Sequence, residues 1–157
     1  STLLASSAAS DVYKRQQFCT EGSYRLFPDR ISLPTTISNG KQIEIAHRWN
    51  NFGWGYCPTN IPQWKNKYKV AFALLDTKND KPKYVFVDGE PEACDWVKGT
   101  AKSYTFTTRV EGVEAGKYMW AVGIVDTAKQ NEIGIHLAVK NNVTSAGWLK
   151  LFEVTAR

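Results

Sequence analysis

From Tyr24 to the C terminus, apolar and polar residues alternate with period two in short segments, and no segment carries a sustained helical stripe. The segment "KQIEIAHRW" places Ile43, Ile45, His47 and Trp49 on one face and Gln42, Glu44 and Arg48 on the other. "KYKVAFALLD" sets Tyr68, Val70, Phe72 and Leu74 against Lys67, Lys69, Ala71 and Ala73. "SYTFTTRV" aligns Tyr104, Phe106, Thr108 and Val110, and "GKYMWAVGIVD" aligns Tyr118, Trp120, Val122 and Ile124. "YRLFPDRISLP", "KYVFVDG", "EIGIHLAV" and "GWLKLFEV" complete the series. Turn-forming clusters separate the segments: "SNGK", "TKNDKP", "DGEPE", "EGVEAGK" and "TAKQNE". A strand with one apolar face must bury it against a second sheet. The pattern therefore predicts an all-β chain: an antiparallel β-sandwich, immunoglobulin-like, of about eight strands, forming a single domain over residues 17–157.

Composition agrees with that class. A chain of 157 residues is long enough for one domain with a sizeable core. Six Trp within a 13% aromatic share point to a β-rich interior, a ring-lined surface, or both. The net charge of +5 is scattered along the chain. Its densest group, Lys65, Lys67 and Lys69, reads as one solvated edge, so no nucleic-acid partner is expected. No apolar run approaches the ~18 residues of a membrane-spanning helix, so no membrane partner is expected either.

"STLLASSAASDVYKRQ", residues 1–16, is small, polar and aperiodic. It lacks the basic start and apolar middle of a signal peptide and resembles translated adapter sequence. It is read as a non-native or disordered extension, and the remainder as a fragment of a longer chain. Cys19, Cys57 and Cys94 have no metal-like spacing. Two readings stay open: three free thiols, or a bridge, for which Cys57 with Cys94 is the better pair.

The stretch "HRWNNFGWGYCPTNIPQW", residues 47–64, concentrates rings, glycines, prolines and asparagines. Trp49 is in register with Ile43 and Ile45 and belongs to the core. Alternation breaks at Gly53 and Gly55, which puts Trp54 and Tyr56 in irregular chain, where binding residues are commonly carried. An indole face and the apolar face of a pyranose both leave water on stacking, and Asn50, Asn51, Asn60 and Gln63 offer hydrogen bonds to hydroxyls. The candidate ligand-binding residues are Trp54, Tyr56, Trp64, Trp96, Asn51 and Asn60. The competing reading has the same rings filling the end of the sandwich.

Other chemistries fare less well. "DGEPEACDW" crowds four carboxylates but follows no metal-binding loop pattern, so it reads as a solvated acidic loop with no metal or other cofactor. Asp76 and Asp126 stand just past strand ends, where turns favour aspartate. His47 reads as a buried or rim histidine satisfied by backbone, and His136 as solvent-facing. No Gly-x-Ser-x-Gly turn offers a nucleophile. No catalytic residues are assigned, and the chain is expected not to be an enzyme.

The order of several motifs is similar to that of a known family. Leu33-Pro34, Gly40, Trp49, Asn51 and Gly53, then Tyr56 and Pro58, are followed by "AFALLDTK", by Trp96 and Gly99, and by Gly116, Tyr118, Gly123 and Asp126. "IGIHLAV" and "GWLKLFEV" end the series, which covers most of residues 28–154. It resembles the C-terminal β-sandwich catalogued as domain of unknown function 4832, departing from it at Leu137-Ala138-Val139. In that family the sandwich follows a TIM-barrel domain resembling glycoside hydrolases. The resemblance implies an ancillary module of an exported bacterial polysaccharide-processing protein, secreted, periplasmic or on the cell surface. Its implied partners are a polysaccharide or oligosaccharide and an upstream catalytic domain of the same chain. The alternative is a purely structural domain that docks on that barrel.

Overall fold

The computed structural model describes residues 2–3 and 24–157. The reading of residues 1–16 otherwise lies outside the described residues, as does Cys19. Among the described residues there are ten strands. They are β1 (Thr2–Leu3), β2 (Leu26–Ser32), β3 (Thr36–Ile37), β4 (Gln42–Asn51) and β5 (Tyr68–Asp76), followed by β6 (Pro82–Asp88), β7 (Lys102–Arg109), β8 (Gly116–Asp126), β9 (Glu132–Ile135) and β10 (Leu149–Ala156). The eight expected strands all form, and the two-residue strands β1 and β3 add to them.

One sheet has the order β1-β2-β4-β7 and the other β3-β10-β8-β5-β6, with β9 pairing the far end of β8. Every pairing is antiparallel except that of β3 with β10. The long strands follow the immunoglobulin order: β2-β4-β7 stand as A-B-E, and β10-β8-β5-β6 as G-F-C-C′. A second mark of that fold lies at the start of β8, where the Tyr118 hydroxyl donates to Glu114 O at 2.7 Å. This is the tyrosine corner, and Trp120 occupies the position two residues on where immunoglobulin domains carry a cysteine.

Alternation decides which side chains meet between the sheets. Ile43, Ile45, His47 and Trp49 of β4 face Val70, Phe72 and Leu74 of β5 and Tyr118, Trp120, Val122 and Ile124 of β8, and all are buried. The second sheet is buried on its other face as well. Ala71, Ala73, Leu75, Ala121 and Val125 lie beneath Trp148, so β5 and β8 read as continuous apolar runs. Gly123 makes this cover possible: a Cβ there would collide with Ile133 Cδ1 and crowd the Trp148 ring.

The segment expected to continue as a strand after Ile135 leaves the ladder. Ala138 N–H donates to Leu26 O at 2.8 Å, carrying Leu137 and Val139 across to the first sheet as buried plugs. His136 is exposed, as expected.

Candidate functional site

The loop after β4 and the loop between β6 and β7 lie side by side at one end of the sandwich, because Trp49 pairs with Lys102 in the β4–β7 ladder. Asn51 stitches them together. Its Oδ1 accepts from Arg25 N–H at 2.9 Å and Gly53 N–H at 2.7 Å, and its Nδ2 donates to Gly55 O at 2.8 Å and Trp96 O at 3.0 Å. With all four bonds made and 2% of its surface exposed, Asn51 is a structural amide. This corrects its assignment as a ligand contact. Asn51→Ala strands two buried donors and two carbonyls, and is expected to destabilise the domain by about 3 kcal/mol in urea titrations.

Trp96 is corrected in the same way. It is 1% exposed and stacks on Trp49, with ring centroids 4.8 Å apart and planes 10° apart. Its indole N–H donates to the Tyr104 hydroxyl at 2.7 Å. Sequence spacing could not show this, because the short 3₁₀ turn Ala93–Asp95 turns the ring inward rather than a ladder position.

Beneath this pair runs a second buried chain of polar contacts. Trp49 Nε1–H donates to His47 Nδ1 at 2.8 Å, and His47 Nε2 lies 3.0 Å from Asp88 Oδ2. An indole can only donate, so Nδ1 is the acceptor and the proton sits on Nε2, pointing at the carboxylate. His47 is thus satisfied by two side chains rather than by backbone. The bond joins β4 of one sheet to the end of β6 in the other. The acidic loop is correspondingly less solvated than its composition suggested. Asp88 is buried and also accepts from Glu90 N–H, while Glu92 pairs with the buried Lys69. Lys69 therefore leaves the solvated edge on which Lys65 lies. Asp76 and Asp126 accept from Lys78 and Ala128 N–H and cap turns, as expected. Among the described residues no group of three or more His, Cys, Asp or Glu is placed to hold a metal.

This end also presents large apolar side chains to water among its exposed polar ones. Trp54 is 73% exposed, Tyr56 49%, Val97 47% and Ile61 36%, and these are the exposed large hydrophobic residues among those described. All four lie on the two joined loops. The Lys98 ammonium sits 3.7 Å from the Trp54 ring centroid, a cation–π contact that covers one side of the indole. Asn60 and Gln63 are exposed nearby in sequence, whereas Trp64 is half-buried with its ring edge against Tyr68. Of the six residues singled out, then, Trp54, Tyr56 and Asn60 are presented to solvent. Trp64 is partly presented, and Trp96 and Asn51 form the support. Val97, Lys98 and Ile61 were missed, since a lone Val or Ile beside a turn carries no sequence signal. An open cavity of about 270 Å³ lies elsewhere, on the outer face of the first sheet among Arg30, Ser32, Ala46, Arg48, Ser103 and Thr105. It contains none of the residues singled out.

Burial gives the domain a pH dependence. Cys57 is a free thiol with no exposed surface. Burial pushes it up from 9.0 to about 12, with a smaller push from Cys94 and an opposing hydrogen bond with Tyr24. Burial likewise raises the Tyr104 and Tyr118 phenols above 10.0. The unfolded chain releases these protons first, so stability is full below pH ~9 and falls as pH climbs through the window towards the folded values. Thermal midpoints at pH 7 to 10.5 are expected to decline above pH ~9, and Cys57→Ala should flatten the first part of that decline.

These features define a β-sandwich domain of immunoglobulin-like topology with an aromatic surface on its joined end loops. No family model matches the chain, and no curated protein matches it. Among solved structures, it is similar to a Niemann-Pick type C2 protein from Japanese carpenter ant (TM-score 0.49, 8% identity, covering 86% of this chain and 93% of that one). It is also similar to the CARDB domain of a Pyrococcus furiosus protein, in complex with di-metal ions (TM-score 0.43, 15% identity, 85% and 94% covered). A third likeness is to a stretch of a β-glucosidase from Listeria innocua in complex with glucose (TM-score 0.43, 16% identity), covering 85% of this chain but 16% of that one. Identities this low say nothing of what the chain binds.

Proposed function

We propose that this domain is a non-catalytic ancillary module of a larger bacterial polysaccharide-processing protein, and that it binds carbohydrate through Trp54 and Tyr56. One observation carries the reading: the exposed large hydrophobic residues described all lie on one pair of loops, joined by the Asn51 amide. The free side of the Trp54 indole, opposite Lys98, is a flat apolar platform for a pyranose, with Tyr56 as a second ring and Asn60 a donor and acceptor for hydroxyls. The motif order, which resembles that of the domain of unknown function 4832 family, supports the polysaccharide context and with it an exported location.

A second reading rests on Ile61 and Val97. Aliphatic side chains do not stack on sugars, and together with the rings they would suit docking against a catalytic domain of the same chain. Affinity electrophoresis against plant and microbial polysaccharides separates the two. Retardation abolished by Trp54→Ala supports carbohydrate binding. Migration unaffected by every polysaccharide overturns it in favour of docking.

A further inference from the structure

Cys57 and Cys94 stand 37 positions apart in the chain, yet the fold holds their segments together at several points. The two hydrogens of the Asn51 amide reach Gly55 O and Trp96 O, so those oxygens are no further apart than the two bonds end to end. Gly55 precedes Cys57 by two residues, and Trp96 follows Cys94 by two. Closer in, Cys94 N–H donates to Thr59 Oγ1 at 3.0 Å, while Thr59 N–H donates to Cys57 O at 2.8 Å. A single threonine thus bonds to the backbone of both cysteines. The thiols also sense each other electrostatically, Cys94 being one of the groups that raise Cys57. A disulfide needs Cα atoms about 4.4–6.8 Å apart, within reach of segments stitched in this way.

We propose that Cys57 and Cys94 are a dithiol site which a disulfide oxidant closes to an intrachain bridge, tying the Trp54–Tyr56 loop to the Trp96–Lys98 loop. The inference does not depend on what those loops bind. Cys94 is partly exposed and reacts first. Its thiolate attacks one sulfur of the oxidant, the oxidant's S–S bond breaks, and one thiolate leaves. Cys57 then loses its proton and attacks the Cys94 sulfur, forming the protein S–S bond and expelling the second thiolate. Two protein thiols are oxidised, one disulfide is reduced to two thiols, and the two protons pass to the leaving groups. Burial keeps Cys57 protonated at neutral pH, so closure accelerates by roughly tenfold per pH unit between pH 7 and 9.

The test is oxidation of the fully reduced, folded chain by glutathione disulfide, followed by non-reducing proteolysis and mass spectrometry, with Cys19→Ser run in parallel. The expected product in both proteins is a Cys57–Cys94 cross-linked peptide pair, lighter by two hydrogens and forming faster as pH rises. Three results overturn the proposal: glutathione retained on Cys94 with Cys57 still a thiol, a cross-link to Cys19, or thiols that stay unreacted throughout.

Discussion

Trp49→Ala is expected to cost about 4 kcal/mol of stability, the range for deleting a large buried aromatic ring. Three losses combine at this position. The side chain is 0% exposed, so its removal leaves a cavity between the sheets. Trp96 loses the ring stacked 4.8 Å away, and His47 Nδ1 loses the N–H that fixes its tautomer. Domains of this size are stable by about 5–15 kcal/mol, so the loss is read directly from the shifted urea midpoint. Trp49→Phe keeps most of the ring but not the N–H, and its expected cost is smaller, about 1–2 kcal/mol. Equal midpoints for wild type and Trp49→Ala would refute the stacked Trp49–Trp96 pair as a determinant of stability.

Trp54→Ala, five residues along, should do the reverse. With 73% of its surface exposed, the side chain contributes little packing, and stability should stay within about 0.5 kcal/mol of wild type. If Trp54 is the stacking platform, removing it costs about 2 kcal/mol of binding, or roughly 30-fold in affinity for a retained polysaccharide. Full retardation by the alanine variant would exclude Trp54 from the site. The contrast between a strand tryptophan and a loop tryptophan five residues on also separates the structural from the functional role of the aromatic cluster.

The difference between these two residues was partly legible beforehand. Trp49 continues the alternation of Ile43 and Ile45, so its inward face follows from period two. Past Gly53 the alternation stops, and with it any rule linking position to burial. Trp54, Tyr56, Trp64 and Trp96 then look alike in the sequence, although their surroundings range from open solvent to full burial. Asn51 shows the same limit. Its residue type suits a ligand contact and a loop staple equally, and only the arrival of Trp96 O from a distant loop decides between them.

Alternation and turn chemistry are local properties that each segment carries alone, so the fold class and the succession of strands along the chain were legible in the sequence, whereas their order within the sheets was not. The sequence also placed the core faces of β4, β5 and β8 correctly. Only the tertiary structure shows the cross-sheet His47–Asp88 bond, the inward turn of Trp96, the second buried face under Trp148 and the threonine that bonds to the backbone of both Cys57 and Cys94. Each of these joins residues far apart in the chain, and their meeting depends on how two sheets stack and where loops cross, which no local periodicity encodes.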